Sequence, residues 1–526
     1  MIEVFLGIDL GTSSVKALLI DAEGSIRGRG AAGYPVHRPA PGHAEQDPAD
    51  WWDATVTAVR AAVATAGNEV EVAGIGLSGQ MHGTVLLDAT DQPLGPAIIW
   101  EDQRSERDVA EITDLIGARR LVEITGSPVA TGFQAATIRW LQREDATRWT
   151  RVRSILGPKD ELRRRLTGEI ATDPSEGSGT LLLDVRTRSW SEEVLAALQI
   201  PVERLPPLLP STALAGALQP TAASALRLRP GTPVATGAGD APCGLVGAGI
   251  VDPSTMLLSI STGAQVMVPA SEVNVDPAGR GHTFCSALGP APGHPGWYQM
   301  GATLVAGRAM RWLRDDLFGL IGDEADATLA NLAANVPIGA EGLIFLPYLV
   351  GERSPHMDPR TRGAFLGLTA RHGRAEITRA TMEGVTMAAY DAFTVLQTLG
   401  AAPEEIVMAG GGARSAVWRQ LAADLFGRPI RLLATTDQAA AGAAVLAAAA
   451  TGAGDPVATG RAWSRYGPPI DPDPVRHRRY QELFAIFRDA YAGATATAHR
   501  LGAFVNSPPP TDSPPLIAPP PGGSPR

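Results

Sequence analysis

The residue with the clearest chemical potential is Asp240, at the end of Gly237-Ala-Gly-Asp240. An apolar, β-prone run from Pro233 to Thr236 precedes it, and Asp240 is the first carboxylate beyond that run. Glycines let a backbone turn sharply and let a ligand approach closely. A carboxylate delivered by such a turn sits at a strand end, where open sheets carry ligands. It can take a proton from a hydroxyl. Gly and Asp also dominate ordinary turns, so the four residues alone read first as a tight turn and no more.

Three further segments have the same grammar of strand followed by small or polar turn. Asp9-Leu-Gly-Thr-Ser-Ser14 lies between the strand candidates Phe5 to Asp9 and Val15 to Ile20. Backbone N–H groups in such a turn form an anion-binding nest, to which hydroxyls add donors. Asp9 at the strand end suits a magnesium ion held through water, because Mg²⁺ keeps several waters; the alternative is a plain β-hairpin. Val72 to Leu77 reads as a buried strand that ends in Ser78-Gly-Gln-Met-His-Gly83, where His82 could donate to a hydroxyl or serve the structure only. Ala97 to Trp100 ends similarly in Glu101-Asp102-Gln-Arg104.

The second half repeats the theme. Thr255 to Ile260, the turn Ser261-Thr-Gly263 and Ala264 to Val268 read as strand, turn and strand. Ile406 to Ala409 runs into Gly410-Gly-Gly-Ala-Arg-Ser415 and then a helix from Ala416 to Phe426. Glycine there lets a flat or charged ligand lie against the helix N-terminus.

The elements that position these turns are legible from patterning. Asp47 can cap a helix and Pro48 suits its first turn, after which Trp51, Val56, Val59 and Val63 recur at helical spacing. Strands alternating with helices predict an α/β layer architecture, and 526 residues predict two or three domains. Charged residues at 19% and hydrophobic ones at 44% suit a soluble globular protein. A formal net charge of −10 argues against nucleic acid or a membrane surface as partner. The two cysteines, Cys243 and Cys285, make neither a disulfide framework nor a cysteine zinc site, which fits a reducing cytoplasm. The start, Met1-Ile-Glu-Val4, has no basic flank of a signal peptide, and the apolar run Ala439 to Ala450 falls well short of the ~20 residues of a bilayer span. Lys16 and Lys159 are the only lysines and neither sits in Gly-Lys-Ser/Thr, so a Walker P-loop is excluded. From Asn506 to Arg526 Pro, Ser and Gly dominate, the composition of a disordered tail.

Taken together and in order, the segments from Val4 to Leu501 resemble the FGGY carbohydrate kinases of the actin, heat-shock chaperone and hexokinase superfamily. Asp9-Leu-Gly-Thr-Ser-Ser14 is similar to the family's first phosphate turn, Ser261-Thr-Gly263 to its second, and Gly410 to Ser415 to its adenosine loop. Gly363-Ala-Phe-Leu-Gly-Leu368 with Ile377, Ala380 and Glu383 fits a family signature, and Asp240 falls where the family keeps its catalytic aspartate. Within the family the likeness is strongest to the branch acting on D-xylulose, through Gln80-Met-His-Gly83, Leu156-Gly-Pro-Lys-Asp160, Gly179-Thr180, Asp184-Val185, His282-Thr-Phe-Cys285 and Gly351-Glu-Arg-Ser-Pro-His356. Ala241 departs from that branch's usual Asn or Gln, Ser261 from the usual Gly, Thr137 from a Lys, and Glu101 from a smaller residue.

The resemblance implies an α/β fold of two actin-like (ribonuclease H-like) ATPase domains with a cleft between them. It implies a sugar-binding domain over 1–247, an ATP-binding domain over 248–455, a helical segment over 456–505 and the tail over 506–526. The implied substrates are ATP and a small sugar, with Mg²⁺ as cofactor; a homodimer is one assembly the family admits. The implied sugar contacts are Gln80, Met81, His82 and Asp102. The implied nucleotide contacts are Gly11, Thr12, Ser13, Lys16, Ser261, Thr262, Gly263, Gly307, Gly411, Gly412, Ala413 and Ser415, with Asp9 orienting the metal. Asp240 would accept the proton of the attacking primary hydroxyl, and a carboxylate of ordinary low pKa suffices when the proton leaves late. Two other activities share this machinery: a sister kinase for another ketose or polyol, and a chaperone-like ATPase, against which the sugar-side segment and the absence of a peptide-binding domain both count.

Overall fold

Two sheets built to one plan organise the chain, which the computed structural model describes over residues 1–67, 69–322 and 324–506. The expected disordered tail lies outside the described residues, apart from Asn506, which ends a long helix, Pro474–Asn506. In the first half the strands Ile2–Leu10, Ser14–Asp21 and Ile26–Gly33 form an antiparallel meander. On the other side of Ile2–Leu10 lies Val70–Gly79 in parallel, followed by Pro233–Ala235 and, antiparallel at the edge, Leu214–Ala217. The short strand Ala238–Gly239 also pairs with Val70–Gly79. In the second half Thr255–Ile260, Ala264–Ala270 and Trp297–Thr303 repeat the meander, with His282–Cys285 beyond them, and Glu405–Ala409 and Ile430–Leu432 are added in parallel. This is the two-domain actin-like fold.

Local sequence explains most elements. Asp47 caps the helix Pro48–Ala66 by accepting from Ala49 N–H at 2.8 Å, and Trp51, Ala58, Val59 and Ala62 form its buried stripe. The strand Thr255–Ile260 and the helix Ala416–Phe426 match the sequence reading residue for residue. Two expectations need correction. The strand predicted over Val72 to Leu77 runs from Val70 to Gly79, and Val72 and Ala73 are only half-buried because the core begins at Ile75. The strand predicted over Ala97 to Trp100 shrinks to Ala97–Ile98, since only that pair finds a ladder partner, at Glu45–Gln46.

The alanine-rich helix Gln438–Ala450 belongs in sequence to the second half but lies on the first sheet. Gly7 and Gly76 permit this: a Cβ at Gly76 would stand 1.8 Å from the carbonyl oxygen of Ala443, and one at Gly7 1.9 Å from that of Ala440. Small residues on both sides bring backbone against backbone, so the helix is buried almost all round, from Ala440 to Ala448. It starts at the floor of the cleft described next. Among the described residues no helix is long and apolar enough to cross a membrane.

Candidate active site

Strand register brings the two carboxylates together. Asp9 stands opposite Lys16 on one neighbouring strand and opposite Ser78 on the other, and Ser78 in turn stands opposite Ala238. Ser78 Oγ donates to Asp9 Oδ1 at 2.9 Å. Asp240, two residues past Ala238, opens the helix Asp240–Gly247 and so emerges near Asp9, at the C-terminal ends of these strands. A cavity of about 220 Å³ is lined by Asp9, Lys16, Asp240, Ala241 and Asp437, and by Ser259 of the second sheet.

The electrostatics follow from this crowding. Burial pushes the Asp240 carboxyl up to about 7, and the neighbouring charge of Asp9 adds to the shift against the hydrogen bond from Ala241 N–H. That corrects the expectation of an ordinary low pKa. Asp9 is also raised by burial, with Ser78 and Lys16 working against the shift. Only one Asp9 oxygen has a protein hydrogen bond among the described residues, and the side chain lines the cavity. No group of three His, Cys, Asp or Glu side chains among the described residues would hold a bare ion.

The turn Gly11 to Ser13, expected to hold phosphate, is braced from below. Gly11 carbonyl accepts from the Tyr34 hydroxyl, Thr12 Oγ1 accepts from Trp100 Nε1 at 2.9 Å, and Thr12 carbonyl accepts from Gln46 Nε2 at 2.6 Å. Ser13 is exposed at the tip, and Lys16 ion-pairs with Asp437 at 3.3 Å.

Residues called for the nucleotide line a second cavity, of about 660 Å³. Ser261, Thr262, Gly307, Gly411, Gly412 and Ser415 share its wall. It adjoins the first through one strand, since Ser259 lines one cavity and Ile260 to Thr262 the other. Gly307 N–H donates to Ser261 carbonyl at 2.7 Å, and a Cβ at Gly307 would lie 2.4 Å from that oxygen, so only glycine permits the contact. Ser415 Oγ caps the helix Ala416–Phe426 by accepting from Trp418 N–H. Gly11, Thr12, Ser13, Gly263 and Ala413 line neither cavity, and Lys16 lines the first. Thr303 carbonyl crowds Gly263, and Ala413 is packed into the core.

Of the residues expected to contact the sugar, Met81 and His82 follow directly on the strand Val70–Gly79 and Gln80. His82 has φ of +74°, a left-handed conformation that costs a non-glycine residue ~1–3 kcal/mol and clusters at functional sites. Its Nδ1 lies 2.6 Å from Gly179 carbonyl, so Nδ1–H donates there. Burial lowers the ring's pKa to about 4, with Arg353 also lowering it against the Gly179 bond. The ring is therefore neutral at pH 7 and offers Nε2 as an acceptor, which reverses the donor role expected from sequence. Gln80 is buried and donates to Gln46 Oε1 at 2.7 Å, while its own carbonyl oxygen has no partner. Asp102 departs from its expected place: both its oxygens are taken, by Arg104 Nε at 2.9 Å and by Ala44 N–H at 2.7 Å. Like Gln80, Met81 and His82, it lines neither cavity, and its bonds anchor the turn.

Sequence reading missed Asp437, which looks like an ordinary residue ahead of an alanine-rich helix until that helix is laid on the first sheet. It missed Arg311 too, whose Nη2 donates to Thr262 Oγ1 at 3.2 Å; its position four residues after Gly307 on a helix was the available signal. Glu101, the departure from pattern, pairs with Arg38.

Comparison with known proteins gives a consistent picture. The model of the FGGY family of carbohydrate kinases matches with its N-terminal domain over residues 4–247 and its C-terminal domain over 256–451. A xylulose kinase from Klebsiella pneumoniae is 38% identical over 424 residues, 81% of this chain and 85% of that protein. The crystal structure of xylulose kinase from Rhodospirillum rubrum superposes with a TM-score of 0.87 at 32% identity, covering 94% of this chain and 100% of that one. That of gluconate kinase from Lactobacillus acidophilus gives 0.89 at 27% identity, covering 95% and 100%.

Proposed function

The chain belongs to the FGGY family of carbohydrate kinases, and on that premise we propose that it transfers the γ-phosphoryl group of ATP to the primary C5 hydroxyl of D-xylulose. The observation that supports the reading is that Asp240 and Asp9 share a cavity with Ser259, and the next residues of that strand and turn, Ile260 to Thr262, line the larger cavity. In this reading the base and the turn that holds phosphate lie one strand apart.

In this reading ATP lies along the larger cavity, its base and ribose near Gly411, Gly412 and Ser415 and its phosphates toward Thr262 and Lys16. Arg311, bonded to Thr262, adds positive charge there. Asp240 accepts the hydroxyl proton as the new O–P bond forms and the bond to the departing ADP breaks. Phosphoryl transfer asks chiefly for positioning and charge stabilisation, because its transition state is loose. A base with a pKa near 7 is half ionised at neutral pH, close to the optimum for proton transfer. Asp9, whose carboxylate lines the cavity, is the residue that would hold Mg²⁺, which when bound would neutralise phosphate charge. His82 Nε2 accepts from a sugar hydroxyl, beside Met81. Closure of the two halves over the substrates excludes water and limits wasteful ATP hydrolysis.

The sugar is tested by kcat/KM for D-xylulose, D-ribulose, L-ribulose, D-fructose, glycerol and D-gluconate. D-Xylulose is expected to lead. A tenfold preference for another compound, roughly 1.4 kcal/mol in transition-state binding, would replace the sugar and leave the kinase. The specific observation favouring a sister substrate is Ala241, which lines the cavity beside Asp240 and has no side-chain donor. ATP turnover without a phosphorylated product would replace the kinase by an ATPase.

A further inference from the structure

The loop that delivers Asp240 is held from behind by a buried ionic cluster that phosphoryl transfer itself does not use. The side chains of Lys159, Asp160, Arg163 and Asp173 are all fully buried. Lys159 Nζ and Arg163 Nη1 both donate to the carbonyl of Thr236, at 3.3 and 3.2 Å. At the other end of the loop Gly239 N–H donates to Ser175 Oγ at 3.2 Å, and Ser175 Oγ donates to Asp173 Oδ2 at 2.5 Å. Asp173 Oδ1 lies 3.2 Å from Lys159 Nζ, and Asp160 Oδ1 takes both Lys159 at 2.6 Å and Arg163 at 2.8 Å. Thr236 carbonyl and Gly239 amide are therefore tied to one rigid body. Between them Gly237 has φ of +78° with no room for a side chain, because its Cβ would lie 2.3 Å from Leu77 carbonyl.

Within the cluster Lys159 and Arg163 face Asp160 and Asp173. Burial pushes the carboxyl of the neighbouring Glu176 well above its ordinary range; Lys159 works against the shift, and Asp160, Asp173 and Asp240 add to it. Stability is a poor reason for such a cluster, since well-packed apolar residues in place of buried ion pairs are often as stable or more so. Geometry is a better one. A glycine-rich loop has no stiffness of its own, and a catalytic group must be held within about 0.5 Å of its working position.

We propose that Ser175, backed by Asp173 and Lys159, is a positioning residue for Asp240: it fixes the Gly239 amide and so the place of the next residue's carboxylate. This inference rests on Asp240 being the base. It is tested with Ser175→Ala, Asp240→Asn and the double variant, each checked for fold by circular dichroism. Ser175→Ala is expected to lower kcat roughly 10- to 100-fold, the scale of an ångström-sized misplacement, with KM for sugar and for ATP within about twofold. In the Asp240→Asn background it should lower kcat no further, because residues acting through one group are not additive. Ser175→Cys, which keeps the volume but bonds weakly, should give a smaller fall in kcat and supplies the readout if the alanine variant does not fold. A wild-type kcat in folded Ser175→Ala or Ser175→Cys, or an equal further loss in the double variant, overturns the positioning role and leaves the base reading intact. Near-normal turnover in folded Asp240→Asn overturns both.

Discussion

Lys16 Nζ lies 3.3 Å from Asp437 Oδ1, so a strand of the first sheet and the start of the helix Gln438–Ala450 are joined across the floor of the cavity that holds Asp9 and Asp240. Arg29 reaches the other oxygen of the same carboxylate, at 3.2 Å. The lysine that this reading assigns to phosphate is thus already engaged by an acid, which phosphate must displace.

Asp437→Asn tests that competition. It frees Lys16 and removes a charge that repels phosphate, so KM for ATP should fall about two- to fivefold. Partly exposed pairs contribute only ~0.2–1 kcal/mol, so the melting temperature should fall little. A rise in KM for ATP would show instead that Asp437 assists binding.

Asp240→Asn should fold, bind both substrates with KM values little changed, and lose roughly 10²–10⁴ in kcat, the range for removing a positioned acid–base group. Added Mg²⁺ should not restore it. Asp9→Asn should respond at least partly to higher Mg²⁺, because in the proposed reading Asp9 orients the metal. Single-turnover assays on both variants decide the matter, and equal responses to Mg²⁺ would merge the two roles.

The pH dependence follows from the raised pKa of Asp240. The base works deprotonated, so kcat/KM for the sugar should be lost as pH falls through about 7. Stability has the opposite sense. Between the ordinary 3.8 and about 7 the folded state binds the proton that the unfolded state has released, so this group's contribution to stability falls as pH rises through that window. Asp240→Asn should therefore melt higher than the parent above pH 7, and the gap should narrow toward pH 5. A variant that melts lower at pH 8 contradicts the assignment.

His82→Ala should raise KM for the sugar by about two- to tenfold, the worth of one hydrogen bond, with KM for ATP nearly unchanged. Because the ring's pKa is about 4, it does not titrate between pH 5 and 9. His82→Gln should accordingly leave the acid limb of the profile in place; its disappearance would transfer that limb from Asp240 to His82.

The sequence by itself determined those features whose signal is local. The strand Thr255–Ile260 and the helix Ala416–Phe426 are legible because hydrophobic patterning and a glycine-rich turn coincide there. Asp9 and Asp240 are legible as carboxylates closing apolar runs, and the order of the turns carries the likeness to the FGGY kinases. Tertiary structure alone decided what depends on distant segments meeting. Arg29 and Asp437, 408 positions apart, meet because glycines at 7 and 76 let a helix of the second half lie on the first sheet. His82 is left with Nε2 free to accept because Gly179 carbonyl, 97 positions away, takes the Nδ1 proton. Asp102 is an anchor because Arg104 and the Ala44 amide occupy its oxygens. The pKa of Asp240 is set by how deeply it is buried and by the charge of Asp9 beside it. Turn chemistry and periodicity are short-range and survive in one dimension, whereas desolvation and charge pairing act through space between residues the chain itself holds far apart.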